Sequence, residues 1–302
     1  MWVNIGFIII GIVLLYGGAE LIVEASRHLA NSWRIGEYLV GSSLVAFATS
    51  MPEAVTTLTA QAENYSGDLI MGNLIGSNIA NLGLILGIGL LIRPAVVQKM
   101  SLKRPLLFQL FMYILLFALM LFKPLRIWQG LILLALFFLY YFFQFKRDHS
   151  EDSFNYKNLN LAAITRSLVG AGLLFLGAQK LLQGSAHFGH AFGLSNRVIG
   201  LTFVAIGTSL PELSTTMIAV IKKREEVLIG NLLGSNLFNI LFILPLALLV
   251  SPLFLSSPFL IYDLFLAFLF TTLLLLFERY LNRIAGIFLL LSYFSYLYFI
   301  NQ

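Results

Sequence analysis

The 302-residue chain is 59% hydrophobic and only 11% charged, with no cysteine and a mean hydropathy of +0.89. A soluble domain carries about 25% charged residues, so a water-facing globule is excluded. The missing cysteines exclude a disulfide framework and any thiolate metal site. The net charge of +5 is not a sign of nucleic-acid binding, because the basic residues collect between and at the ends of apolar runs.

Those runs are long enough to cross a bilayer as helices, and ten spans are predicted: about 3–24, 37–62, 68–92, 102–122, 125–145, 161–186, 196–220, 226–250, 257–277 and 282–300. The first lacks a preceding basic residue and a small-residue cleavage signal, which predicts a retained helix and not a signal peptide. With the N-terminus outside, only Lys123, Arg126, Lys180 and Arg197 of the 19 basic residues fall on the outer side. The positive-inside rule therefore puts both termini outside. Residues 146–160 read as a cytoplasmic linker between a first five-helix repeat, 1–145, and a second, 161–302. Among the isolated polar residues, Glu20 reads as a face turned to water or snorkelling to the surface. His28 and His149 read as loop residues, and His187 and His190 as lying just past a helix end.

Two sequences recur in both halves. Gly41-Ser-Ser-Leu-Val-Ala-Phe-Ala-Thr-Ser-Met-Pro-Glu53 matches Gly200-Leu-Thr-Phe-Val-Ala-Ile-Gly-Thr-Ser-Leu-Pro-Glu212 at seven of thirteen positions. Gly72-Asn-Leu-Ile-Gly-Ser-Asn-Ile-Ala-Asn81 matches Gly230-Asn-Leu-Leu-Gly-Ser-Asn-Leu-Phe-Asn239 at seven of ten. All but three of the identities (Val45, Ala46 and Leu74) fall on polar residues, Gly and Pro, while most apolar positions drift. Five spans separate the copies. An odd number turns the second upside down, so the expected fold is an all-α integral membrane protein of two inverted repeats. A carboxylate within an apolar span is costly and marks function. No Lys or Arg lies in a matching span to pair with Glu53 or Glu212. Each proline removes an N–H, so carbonyls near it, those of Ala46, Thr49, Ala205 and Thr208, are expected to tilt out of the helix ladder. Such carbonyls are tolerated at membrane depth where they line a cavity. Ser77 with Asn81, and Ser235 with Asn239, lie four apart and share a helix face. Gly72, Gly76, Gly230 and Gly234 predict close helix packing. Carboxylate, hydroxyl and carbonyl oxygens are the ligands that hard cations take.

These motifs resemble the two alpha repeats of sodium/calcium exchangers, and the likeness extends over essentially the whole chain, with motif segments 41–81 and 200–239. It is most similar to the compact prokaryotic members of the cation/calcium antiporters. The resemblance implies a central Ca²⁺ site from the Glu53 and Glu212 carboxylates and the Thr49 and Thr208 carbonyls. It implies Na⁺ sites from the Ala46 carbonyl with Ser50 and Ser77, and from the Ala205 carbonyl with Ser209 and Ser235, with Asn81 and Asn239 lining the middle. It further implies sliding of the first and sixth spans over a fixed core. Potassium-dependent relatives carry aspartate where Asn239 stands, which argues against K⁺ co-transport. Ala48 replaces a glycine common in the family, a change that leaves the ligands intact.

The expected activity is Na⁺/Ca²⁺ antiport in a cell membrane, by a monomer, without a cofactor. Exchange of Ca²⁺ or another divalent ion for H⁺ is the alternative, because paired glutamates hold protons. A channel is a third reading. An intramembrane hydrolase is disfavoured, since the spans hold no serine–histidine or cysteine arrangement.

Overall fold

A computed structural model describes residues 2–94, 102–148, 160–191 and 205–300. Among these residues every regular element is a helix, apart from a single isolated antiparallel bridge between Leu125 and Leu253. In lipid the backbone must satisfy its own hydrogen bonds, and a helix does so within one segment. The elements are α1 (Trp2–Trp33), α2 (Glu37–Val40), α3 (Ala46–Thr49), α4 (Met51–Ala62), α5 (Gly67–Ala80), α6 (Leu86–Ile92), α7 (Lys103–Met120), α8 (Ile127–Asp148) and α9 (Leu161–Ala191). After the next described residues come α10 (Ala205–Thr208), α11 (Leu210–Ile221), α12 (Glu225–Phe238), α13 (Leu244–Val250), α14 (Phe259–Leu276) and α15 (Arg283–Ile300). The linker residues 149–159, Lys99, Arg197 and the start of the second motif, 200–204, lie outside the described residues.

Among the described residues seven helices are long and apolar enough to cross a membrane. The three predicted spans not among them each have a plain cause. Span 37–62 is broken at Ser50, span 196–220 is described only from Ala205 and is broken at Ser209, and the last apolar helix is shorter.

Several helix ends differ from expectation. Polar residues do not stop α1, which carries Arg27 and His28 and ends only at Trp33. There Arg34 turns left-handed (φ 53°) and the Ile35 N–H donates to the Ala30 carbonyl at 3.0 Å, a closure that satisfies end carbonyls. Helix α9 likewise runs on through positions 187 and 190, so both histidines are helical and not in a loop. Residues 146–148, expected in the linker, are the last turn of α8, and Asp148 accepts the Gly36 N–H.

The local backbone repeats where the sequence does. Ser50 and Ser209 adopt nearly the same bridge conformation (φ −83°, ψ 7° and φ −87°, ψ 5°), and each precedes a 12-residue helix. Those two helices close past their ends on Asn64 and Lys223, both at φ 60°. Next come α5 and α12, each of 14 residues, then five-residue π-helical turns at Asn81–Ile85 and Asn239–Ile243, then the seven-residue α6 and α13. A π turn inside a helix is uncommon and is frequent at functional sites.

The chain divides into two compact units, each drawing on both halves of the sequence: Met1–Pro52 with Asp148–Asn231, and Glu53–Arg147 with Leu232–Gln302. In the first unit α1 lies against α9 with backbone touching backbone. A Cβ on Gly18 would sit 2.7 Å from the Gly170 carbonyl oxygen, and one on Gly177 would sit 2.8 Å from the Leu15 nitrogen. Gly11 and Gly18, like Gly170 and Gly177, are seven residues apart, two helical turns, so each pair lies along one stripe. Leu15, Ala19 and Ile22 on α1 and Leu174 and Ala178 on α9 are buried. Gly41 and Gly230 form a second crossing, where a Cβ on Gly230 would meet the Tyr38 carbonyl oxygen at 2.6 Å. Glu20 is not merely solvated, because it pairs with Lys222 at 2.8 Å.

The π-interrupted helices are the most buried of the apolar spans described. Over an 18-residue stretch of each, Gly67–Ile92 and Glu225–Val250 are 72% and 78% buried, against 28–39% for the other five. Helices α7, α8, α14 and α15 expose Phe111, Phe142, Phe265 and Phe294, the bulky apolar surface that lipid favours. Gly72 and Gly76 depart from expectation: an added Cβ meets nothing within 4 Å at either, and both are part-exposed. They leave open space beside the helix and do not mediate packing.

Candidate functional site: a buried set of hard-cation ligands

The first unit holds Thr49, Ser50, Thr208, Ser209 and Glu212, all buried, with Glu212 wholly so. Pro52 and Pro211 stand in the first turns of α4 and α11, where a missing N–H costs nothing because that group has no helical acceptor. Each break therefore falls at the serine just before the proline helix, and the hydroxyl pair sits at the junction. The Ser50 hydroxyl donates to Glu212 Oε1 at 3.2 Å. The Thr49 hydroxyl lies 2.9 Å from Asn231 Oδ1 and 3.2 Å from the Ala46 carbonyl. That carbonyl also accepts the Ser50 N–H at 2.9 Å. The Ala46 oxygen was expected to tilt out of the ladder; instead it stays in it, because the break comes one turn later. For the Ala205 region only the course of the short helix α10 is described.

The second unit holds Glu53, Ser77, Asn81, Ser235 and Asn239, again buried, with Glu53 wholly so. The Ser77 hydroxyl donates to Glu53 Oε1 at 3.3 Å. Asn81 Nδ2 donates to Asn236 Oδ1 at 3.0 Å, and Asn239 Nδ2 donates to Asn78 Oδ1 at 2.9 Å. These two bonds are the same bond written twice, since 78 corresponds to 236 and 81 to 239 in the aligned motifs. Both leave the far amide oxygen, Asn81 Oδ1 and Asn239 Oδ1, buried without a hydrogen-bond partner. A buried acceptor in that condition is costly, and a cation relieves the cost.

Each glutamate is thus met by a serine predicted from the motifs, Ser50 for Glu212 and Ser77 for Glu53. Asn81 and Asn239 are joined through Asn78 and Asn236, two residues the sequence reading passed over. Asn231 was passed over too. The signal was present, because Asn73, Asn78, Asn231 and Asn236 are all identities of the repeat. Among the described residues no group of three His, Cys, Asp or Glu forms a metal cluster. Carboxylate, hydroxyl and amide oxygens in a buried setting suit weakly held hard cations that must also leave.

The pattern that defines the sodium/calcium exchanger protein family matches residues 3–146 and 163–301. The chain belongs to that family. It is 32% identical over 296 residues to an uncharacterized membrane protein of Methanocaldococcus jannaschii, covering 96% of this chain and 95% of that one. Against the sodium/calcium exchanger MaX1 of Methanosarcina acetivorans it is 28% identical over 343 residues, with 98% and 97% coverage. The fold matches the solved sodium-calcium exchanger NCX_Mj, soaked with Na⁺ and Ca²⁺, at a TM-score of 0.83 and 29% identity, covering 97% of each chain. This is a compact, prokaryotic-type member and a membrane protein whose relatives carry out cation exchange.

Proposed function

We propose that the protein is a Na⁺/Ca²⁺ antiporter of the cell membrane, in which Glu53 and Glu212 are the anionic ligands of the transported ions. The observation that carries this reading is the repeated chemistry: a fully buried carboxylate met by a serine hydroxyl, at Glu53–Ser77 and again at Ser50–Glu212. Two carboxylates balance one Ca²⁺. The Thr49 and Thr208 carbonyls complete its ligands, and the hydroxyls of Ser50, Ser77, Ser209 and Ser235 with the Ala46 and Ala205 carbonyls receive Na⁺. For Ala46 to do so, the Thr49 hydroxyl must turn away and free one lone pair. Asn81 and Asn239 offer amide oxygens between them. Ten spans in two inverted five-helix repeats, with both termini outside, fit the locally repeated backbone and the placement of basic residues. Alternating access follows from α1 and α9 moving together as one glycine-locked element, and no cofactor is required.

The test is Ca²⁺ uptake into proteoliposomes loaded with Na⁺, with Na⁺-free vesicles and vesicles carrying only a pH gradient as controls. Uptake that depends on the Na⁺ gradient is expected. Uptake driven by the pH gradient alone would replace this reading with H⁺-coupled divalent exchange, and Na⁺-independent flux driven by voltage would replace it with a channel.

A further inference from the structure

Behind the asparagine pair runs a second polar chain that the ion ligands do not include. Asn78 Nδ2 donates to the Asn236 carbonyl at 3.1 Å and also lies 3.3 Å from the Tyr113 hydroxyl on α7. Gln109, one turn earlier on α7, donates to the same hydroxyl at 3.0 Å and to Thr271 of α14 at 3.3 Å. Asn78, Gln109, Tyr113 and Thr271 are all buried. Such groups in an apolar layer are costly unless joined, and here they form one line from the outer helices to Asn239.

At Asn78 the hydrogen-bond direction is set by the Asn236 backbone carbonyl, which can only accept. With both Nδ2 protons of Asn78 directed to the Asn236 carbonyl and the Tyr113 hydroxyl, its Oδ1 is left to accept from Asn239 Nδ2. That bond in turn leaves the Asn239 Oδ1 facing away, without a partner. The companion arm lacks this backing. Asn236 accepts from Asn81, but its own Nδ2 has no partner, so nothing holds that amide one way round. The two halves differ here: an aromatic hydroxyl braces Asn78, and among the described residues no equivalent group braces Asn236.

We propose that Tyr113 and Gln109 are positioning residues that brace the Asn78 amide, so that Asn239 presents an oxygen and not an N–H to the transported Na⁺. The Asn239 oxygen is then preorganised and the Asn81 oxygen adaptable. The inference rests on the reading that Asn239 lines the ion path. Preorganised donors bind more tightly because less ordering is left to do on binding.

The test compares Tyr113→Phe and Gln109→Leu with the wild type, by ²²Na⁺ binding to purified protein and by the Na⁺ dependence of Ca²⁺ uptake. Loss of one bracing hydrogen bond should raise the half-saturating Na⁺ concentration about fivefold, with the larger change in Tyr113→Phe. In an Asn239→Ala background, which has no amide left to orient, Tyr113→Phe should cause no further shift. A general packing defect would give the same added loss in both backgrounds. Unchanged Na⁺ affinity in folded Tyr113→Phe overturns the inference while leaving Na⁺/Ca²⁺ exchange standing, and so does an equal shift in both backgrounds. If Tyr113→Phe does not fold, Gln109→Leu decides by the same comparison. If the wild type binds Na⁺ but does not exchange it for Ca²⁺, the functional reading falls and the binding arm still decides the positioning role.

Discussion

Adjacent glycines in α1 should respond in opposite ways to the same methyl group. Gly17 is part-exposed and an added Cβ meets nothing within 4 Å; Gly18 is buried, and its Cβ would lie 2.7 Å from the Gly170 oxygen and 2.8 Å from the Leu174 nitrogen. Ordinary contact begins at 3.4 Å, and both obstacles are backbone, so no rotamer change relieves them. The two helices must part by several tenths of an ångström along a face that runs from Gly11 to Ile22. Overpacking of this kind costs about 1–3 kcal/mol. The gain in helix propensity on replacing glycine with alanine, about 1 kcal/mol, is common to both variants and cancels between them. Gly18→Ala is therefore expected to be less stable than Gly17→Ala by about 1–3 kcal/mol. The assay is thermal loss of the monodisperse peak of detergent-solubilised protein, measured side by side at one heating time. Gly18→Ala melting at or above Gly17→Ala would refute the backbone contact and, with it, the idea that α1 and α9 move as one body.

Other outcomes follow from the ligand set. Glu53→Gln and Glu212→Gln should each abolish Na⁺-driven Ca²⁺ uptake at matched expression, since each removes one of two charges that balance Ca²⁺; wild-type uptake by either removes that residue from the mechanism. Transport should proceed equally in K⁺-free and K⁺-containing buffer, because position 239 holds an amide, and a strict K⁺ requirement would overturn that assignment. If the three-for-one exchange of the sodium/calcium exchangers holds here, three Na⁺ on two carboxylates leave one positive charge, and unbalanced charge is costly away from water. Na⁺ and Ca²⁺ should then compete, and an inside-positive potential set with K⁺ and valinomycin should speed uptake into Na⁺-loaded vesicles. Voltage-independent uptake would point to two-for-one exchange.

Much of the site could be read from the chain because its cost is written in residue types. Glutamate, serine and asparagine at matched places in apolar spans have few explanations other than an ion path, and the breaks at Ser50 and Ser209 follow from the proline two residues on. The α1–α9 contact was harder to see. Gly11, Gly18, Gly170 and Gly177 carry no polar signal, and glycine is common in membrane helices, so only their seven-residue spacing hinted at a stripe. Helices α1 and α9 run past the predicted span ends because a helix in or near lipid continues through charged and histidine residues, and after Trp33 it is the left-handed Arg34 that stops it. The direction of the Asn78–Tyr113 bonds was not legible at all. It depends on which amide proton meets which lone pair across three helices, and no linear pattern encodes that.

The interleaving of the two units bears on how the protein is made. Met1–Pro52 belongs with Asp148–Asn231, yet the intervening Glu53–Arg147 is synthesised first and belongs with a segment later still. At about 5–20 residues per second, the ribosome delivers the partner of α1 several seconds or more after α1 itself has emerged. During that wait the glycine stripe of α1 has lipid where α9 will be, and the Ser50 hydroxyl has no Glu212 to meet. Neither unit completes before translation is well into the second half, and nascent chains stalled near the linker carry Ser50 into the bilayer without Glu212, and Asn78 and Asn81 without Asn239 and Asn236. The same crossing of segments that later holds the buried ligands in place leaves the half-made chain with buried-type polar groups still waiting for their partners.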